Sequence, residues 1–126
     1  MVTDVGEFVV DPVALIPGIR LFNKGEFFEA HEVLEDVWRA APASEKKFLQ
    51  GLIQVAVALH HHSQGNLVGA RSVLERAARN LGAYADTHAG FNIAELLCEL
   101  SEWQCYLTNG SAAPPLPKVR NSGTQI

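Results

Sequence analysis

The sequence predicts an all-α protein: a compact bundle of about five helices, built from two αα-hairpins and a C-terminal closing helix. Three observations carry this. Apolar residues recur at the three-and-four spacing of one helix face in several separate stretches. These stretches are bounded by glycine, by proline or by Asn and Ser in capping positions. The stretch from Phe48 to Leu59 is apolar nearly all round, which places one helix at the centre of the others.

Residues 1–10 are expected to form a loosely held arm. Asp11-Pro12 starts the first helix, with an acid at the cap and proline in the first helical position. Pro17-Gly18 is expected to break or restart it. Ile19, Leu21 and Phe22 give it an apolar face, and Asn23-Lys24-Gly25 ends it. The second helix runs from about Glu26 to Ala40, with Phe27, Ala30, Leu34 and Val37 as its inner stripe and Trp38 beside it. After the turn at Ala41-Pro42-Ala43, Ser44 is expected to cap the third helix and Glu45 to favour its first turn. That helix ends near His62, with Gly65 as its C-terminal glycine.

Asn66 caps the fourth helix, about Leu67 to Leu81. Its inner face is Leu67, Ala70, Leu74, Ala77 and Leu81, its outer ladder is Arg71, Glu75 and Arg79, and Gly82 stops it. Residues 83–91 read as a loop, with His88 solvated. Asn92 and Glu95 form a variant capping box for the last helix, about Ile93 to Thr108. That helix buries Leu96, Leu97, Leu100, Trp103 and Leu107. The tail, 111–126, holds Pro114-Pro115-Leu116-Pro117 and is expected to be extended.

Length and composition set the class. A chain of 126 residues has the length of one domain and can bury a real core. Net charge is −4, from 14 acids and 10 bases, with no basic patch, which argues against nucleic acid as a partner. The longest apolar stretch is interrupted by Gln50 and Gln54 and is too short to span a bilayer. The N-terminal MVTDVGEFVV has no basic segment before an apolar run, so it does not read as a signal peptide. Cys98 and Cys105 are seven residues apart on one helix, about 10 Å, beyond disulfide reach. They read as reduced core residues of a cytoplasmic protein.

Two segments align with a shift of forty. Gly25, Ala30, Val33, Leu34 and Glu35 match Gly65, Ala70, Val73, Leu74 and Glu75. Each follows a helix, and the spacing resembles the second helix of a tetratricopeptide-type hairpin. His31 aligns with Arg71, so the echo stops short of the polar residues.

The candidate site is a polar cluster: His31, Glu32, Glu35, Trp38, Gln50, Gln54 and His61. His31 and Glu35 are four apart on the second helix, one above the other. Gln50, Gln54 and His61 fall within a narrow arc of the third. The turn at Pro42 is short, so the two helices should run antiparallel, with Glu35 near Gln50 and His31 near Gln54. Such a network is either a satisfied structural one or a small pocket in which His31 and Glu35 hold or act on a ligand. His31-Glu32-Val33-Leu34-Glu35 is also one residue from the zincin pattern, so His31 and Glu35 are the candidate metal ligands, with His61 as a distant third. No metal or other cofactor is expected. His60, His61 and His62 point about 100° apart on a helix and cannot share one ion. No nucleophile motif, phosphate-binding glycine loop or C-x-x-C is present.

The runs FNKGEFFEAHEVLEDVW and FLQGLIQVAVALHHHSQGNLVGARSVLERA resemble the domain of unknown function 309 family, small all-helical prokaryotic proteins. The resemblance covers about residues 19–81 and rests on Phe22, Asn23, Gly25, His31, Glu32, Glu35, Trp38, Gly65 and Asn66. It implies the all-helical fold and carries no activity and no catalytic residues. The expected function is that of a small non-enzymatic binding or interaction protein, with an unknown protein or small-molecule partner and a homodimer within its reach. The alternative is a small hydrolase-like or metal-binding enzyme centred on His31, Glu32 and Glu35.

Overall fold

The computed structural model describes residues 12–122. The expected arm at 1–10, the Asp11 cap and the last four residues of the tail lie outside them. Five helices run α1 (Pro12–Asn23), α2 (Phe27–Ala40), α3 (Ala43–Ser63), α4 (Leu67–Leu81) and α5 (Ile93–Asn109). The all-α class is what the sequence predicted. α3 is packed between α2 and α4, with α1 packed on α2 and α5 on α4. Its Phe48, Leu49, Leu52, Val55, Ala56, Ala58 and Leu59 are buried, because a helix surrounded on most sides has few faces to give to water.

The forty-residue echo is visible in the backbone. Gly25 and Gly65 have φ of 83° and 81°. Each closes its helix with the same pair of hydrogen bonds. Glu26 N donates to Leu21 O and Gly25 N to Phe22 O; Asn66 N donates to His61 O and Gly65 N to His62 O. This is the Schellman arrangement, which needs a left-handed residue and so favours glycine. The aligned Ala30 and Ala70, and Leu34 and Leu74, are all buried. The fold is therefore one hairpin, α1–α2, repeated as α3–α4.

Several local expectations are corrected. α1 passes through Pro17 and Gly18 without a break. The proline ring costs the helix one donor, and its fixed φ suits the helix. Gly18 serves packing: a Cβ there would stand 2.7 Å from Leu34 Cδ2. α3 starts at Ala43, so Pro42 holds the cap position and Ser44 lies inside the first turn. Leu67 is exposed at the start of α4, while Ala70, Leu74, Ala77 and Leu81 are buried as expected. No ion pair links Arg71, Glu75 and Arg79 among the described residues. Cys98 and Cys105 are exposed. Asn66 and Asn92 cap α4 and α5 as expected, accepting from Gly69 N and Glu95 N at 2.9 Å each.

Residues 83–91 are more ordered than a loop. Thr87–His88 and Phe91–Asn92 form a two-residue antiparallel hairpin, β1–β2, across Ala89 and Gly90, both at positive φ. Two successive left-handed residues make the turn whose twist suits a hairpin. The tail is extended, as expected, and it is also docked. Phe91 bridges to Asn121, and Asn92 N donates to Arg120 O at 2.8 Å. Asn23 acts as a surrogate strand: its Nδ2 donates to Val119 O at 2.9 Å and its Oδ1 accepts from Val119 N at 2.8 Å. Trp103 Nε1 donates to Pro115 O, and Val119 is buried. The tail thus straps α1 to α5.

Candidate functional site

α2 and α3 run antiparallel, as the short turn at Pro42 requires. The side chains of the predicted cluster do not form one network, however. Gln54 turns to the other neighbour, where its Oε1 accepts from Asn80 Nδ2 of α4 at 2.8 Å. Gln50 is exposed. Glu35 faces along its own helix, to Arg39 at 3.5 Å and His31 at 3.7 Å. No hydrogen bond joins His31 or Glu35 to Gln50 or Gln54 among the described residues. The reason is chemical: Gln54 found a neutral amide partner on α4, while Glu35 found the Arg39 guanidinium within reach on α2.

The seven residues divide between separate places. Glu35, Trp38, Gln50 and Gln54 line one cleft of about 200 Å³ on the α2–α3 seam, floored by Ile53. Trp38 carries the Lys46 ammonium 4.4 Å above its ring, and Lys46 Nζ also donates to Trp38 O. Glu32 is exposed on the outside of α2. His61 sits at the α3–α4 turn, 3.4 Å from the Asn66 amide. Among the described residues no three of His, Cys, Asp and Glu converge closely enough to hold a metal ion.

His31 belongs to a different hollow. Near the start of α2 and the end of α3, Phe27, Phe28, His31, Val57 and His60 enclose about 190 Å³ with a lining that is almost wholly apolar. The antiparallel run of the two helices makes this hollow, because it sets the first turn of α2 against the last turns of α3. Phe28 stands between the two imidazoles, its ring centroid 5.6 Å from His31 and 5.4 Å from His60. It is 47% exposed. His31 Nδ1 lies 3.2 Å from Phe28 O. A carbonyl only accepts, so Nδ1 carries a hydrogen toward it. The other ring nitrogen, Nε2, lies 3.7 Å from Glu35 Oε2, beyond hydrogen-bond reach. The wall's only polar side chains are the two imidazoles, and it has no hydroxyl or thiol.

A second polar cluster escaped the sequence reading. Glu45 is the one buried charged side chain among the described residues. His88 Nε2 meets its Oε1 at 2.6 Å, and the ring packs against Phe48 at 4.5 Å and Tyr84 at 4.6 Å. The expectation of a solvated His88 is thus corrected. The Tyr84 hydroxyl donates to Ser44 O and accepts from Phe48 N, both at 3.0 Å. Those two groups are one i, i+4 pair of α3, so the phenol is tied into the helix ladder. Burial, with the Glu45 charge nearby, raises the Tyr84 pKa above 10.0, although its hydrogen bond to the Phe48 amide pulls the other way. None of the clefts described above borders this cluster, and it reads as a fastening between α3 and the hairpin.

Residues 15–73 match the family described as Domain of unknown function (DUF309). The matched segment holds α1 to mid-α4, both Schellman glycines and every residue of the Phe28 hollow. It leaves out Tyr84, His88, α5 and the tail. An uncharacterised protein of Aquifex aeolicus is 37% identical over 82 residues, 64% of this chain and 25% of that protein. The uncharacterised protein YpuF of Bacillus subtilis is 41% identical over 59 residues, 46% of this chain and 34% of that protein. The chain therefore spans about a quarter to a third of the length of the curated relatives it matches. Among the described residues no helix is long and apolar enough to cross a membrane.

Proposed function

We propose that this chain is a non-enzymatic binding protein whose working surface is the hollow between α2 and α3. It takes one bulky apolar side chain of a protein partner. The observation that carries this is Phe28: a large ring left half open to solvent, flanked by two imidazoles, over an apolar floor formed by Phe27 and Val57. Exposed apolar surface with a polar rim marks binding sites, and aromatic anchors dominate their energy. The histidines supply the rim, with His31 held by its own helix carbonyl.

A peptide library displayed on phage tests this against the full chain. Wild type is expected to enrich a motif with one large apolar residue, and Phe28→Asp, folded by circular dichroism, is expected to lose that enrichment. Equal enrichment on both proteins would overturn the reading.

A further inference from the structure

The outer faces of α2 and α4 carry opposite charge. At the α2 N-cap and along α2, Glu26, Glu29, Glu32 and Asp36 are exposed with Glu35 half-exposed beside them, against the single cation Arg39. Arg39 is already committed to Asp36 at 2.6 Å and Glu35 at 3.5 Å. Glu26, Glu29 and Glu32 have no ion-pair partner among the described residues. α4 shows the reverse: Arg71, Arg76 and Arg79 are exposed and unpaired among the described residues, against the single acid Glu75.

Each face also holds an apolar group at the same position of the repeat. Phe28 and Val68 are forty residues apart, both one residue into their helices, and are 47% and 82% exposed. Leu67 beside Val68 is half exposed. Val68 rims a shallow hollow of about 230 Å³ with Arg71, Ser72 and Glu75. Glu32 lies about 40° round α2 from Phe28, and Arg71 rims the hollow at Val68.

Resting on the groove reading, we propose that the partner is a second copy of this chain. The Leu67–Val68 edge of one protomer seats in the Phe27, Phe28 and Val57 hollow of the other, with Arg71 and Arg76 against Glu29 and Glu32. In a two-fold dimer every contact is made twice, so both faces of both copies are used. Complementary charge sets the register, and the apolar pair supplies the dehydrated centre.

Charge reversal in full-length protein tests it. One variant carries Glu29→Arg and Glu32→Arg, which sets arginine against arginine at the contact; the other carries Arg71→Glu and Arg76→Glu, which sets acid against acid there. All four positions are exposed, and circular dichroism checks the fold. Sedimentation equilibrium is expected to find wild type dimeric, with association weakening between about 0.05 and 0.5 M salt. Each variant alone is expected to be monomeric. An equimolar mixture is expected to dimerise again, because both contacts then join opposite charges. A monomeric wild type, variants that still dimerise alone, or a mixture that stays monomeric would each overturn the proposal. A monomeric wild type that still selects apolar peptides through Phe28 would leave the groove standing and assign it to another protein.

Discussion

The buried contact between Glu45 and His88 shows how much one residue pair can hold. A carboxylate with 4% of its side chain exposed keeps its charge out of water only while a donor meets it. His88→Ala removes that donor and leaves the acid stranded. It is expected to destabilise by about 3 kcal/mol in urea unfolding, with Glu45→Gln costing about 1 kcal/mol. Similar small losses from both would show that the pair carries no weight. Tyr84→Phe is expected to cost about 1–2 kcal/mol, because both Ser44 O and Phe48 N lose a partner. The raised pKa of Tyr84 gives a further test. A phenol whose folded pKa lies above 10.0 is favoured neutral in the fold. Its contribution is whole below pH 10 and is lost as pH rises through the folded value. Tyrosinate absorbance in a Tyr106→Phe background should titrate above 10.0, and a midpoint at or below it would contradict the buried phenol. None of these residues announced itself in the sequence. Glu45 looks like any first-turn acid, and His88 lies 43 residues away on a hairpin that hydrophobic periodicity does not mark.

At the scale of elements, helix boundaries were legible where chemistry marks them. Gly25, Gly65, Asn66 and Asn92 each do locally what their residue type favours, so the repeat could be read from spacing alone. The tail was less legible. Its docking depends on Asn23 presenting an amide to Val119, a contact 96 residues apart that no local pattern encodes. Asn23→Ala is expected to cost about 2 kcal/mol, the two bonds to Val119, and to increase amide exchange along 118–121. Unchanged exchange there would count against the strap. The glycines separate packing from turn geometry. Gly18→Ala and Gly51→Ala each place a methyl 2.7 Å from a buried leucine, Leu34 and Leu81, and are expected to cost about 1–3 kcal/mol through overpacking. Gly65→Ala meets nothing within 4 Å and should cost about 1 kcal/mol through its positive φ alone. Equal losses at all three sites, measured by thermal unfolding, would mean that the close helix approaches are looser than described.

The whole molecule places α3 at the centre and leaves the α2–α3 seam facing outward. The sequence predicted that seam, its antiparallel sense and the nearness of Glu35 to Gln50, but not that Gln54 bonds to Asn80 of α4 or that His31 lines a separate hollow. Glutamine at Gln54 had two neighbouring helices to choose from, and a wheel drawn for one pair of helices could not show the second. The hollow at Phe28 was missed for the same reason, since Val57 and His60 read as core and helix end until the two helices are set side by side. Five histidines now stand in distinct places and report on it. His31 and His60 flank Phe28, His61 is near Asn66, His62 meets the Tyr106 hydroxyl at 2.9 Å, and His88 holds Glu45. The most direct test of the binding surface is therefore imidazole NMR of the full chain titrated with a phage-selected apolar peptide. The account predicts shifts of the His31 and His60 rings with His62 and His88 unmoved. Shifts confined to His62 or His88, or none at His31 and His60 under saturating peptide, would contradict it.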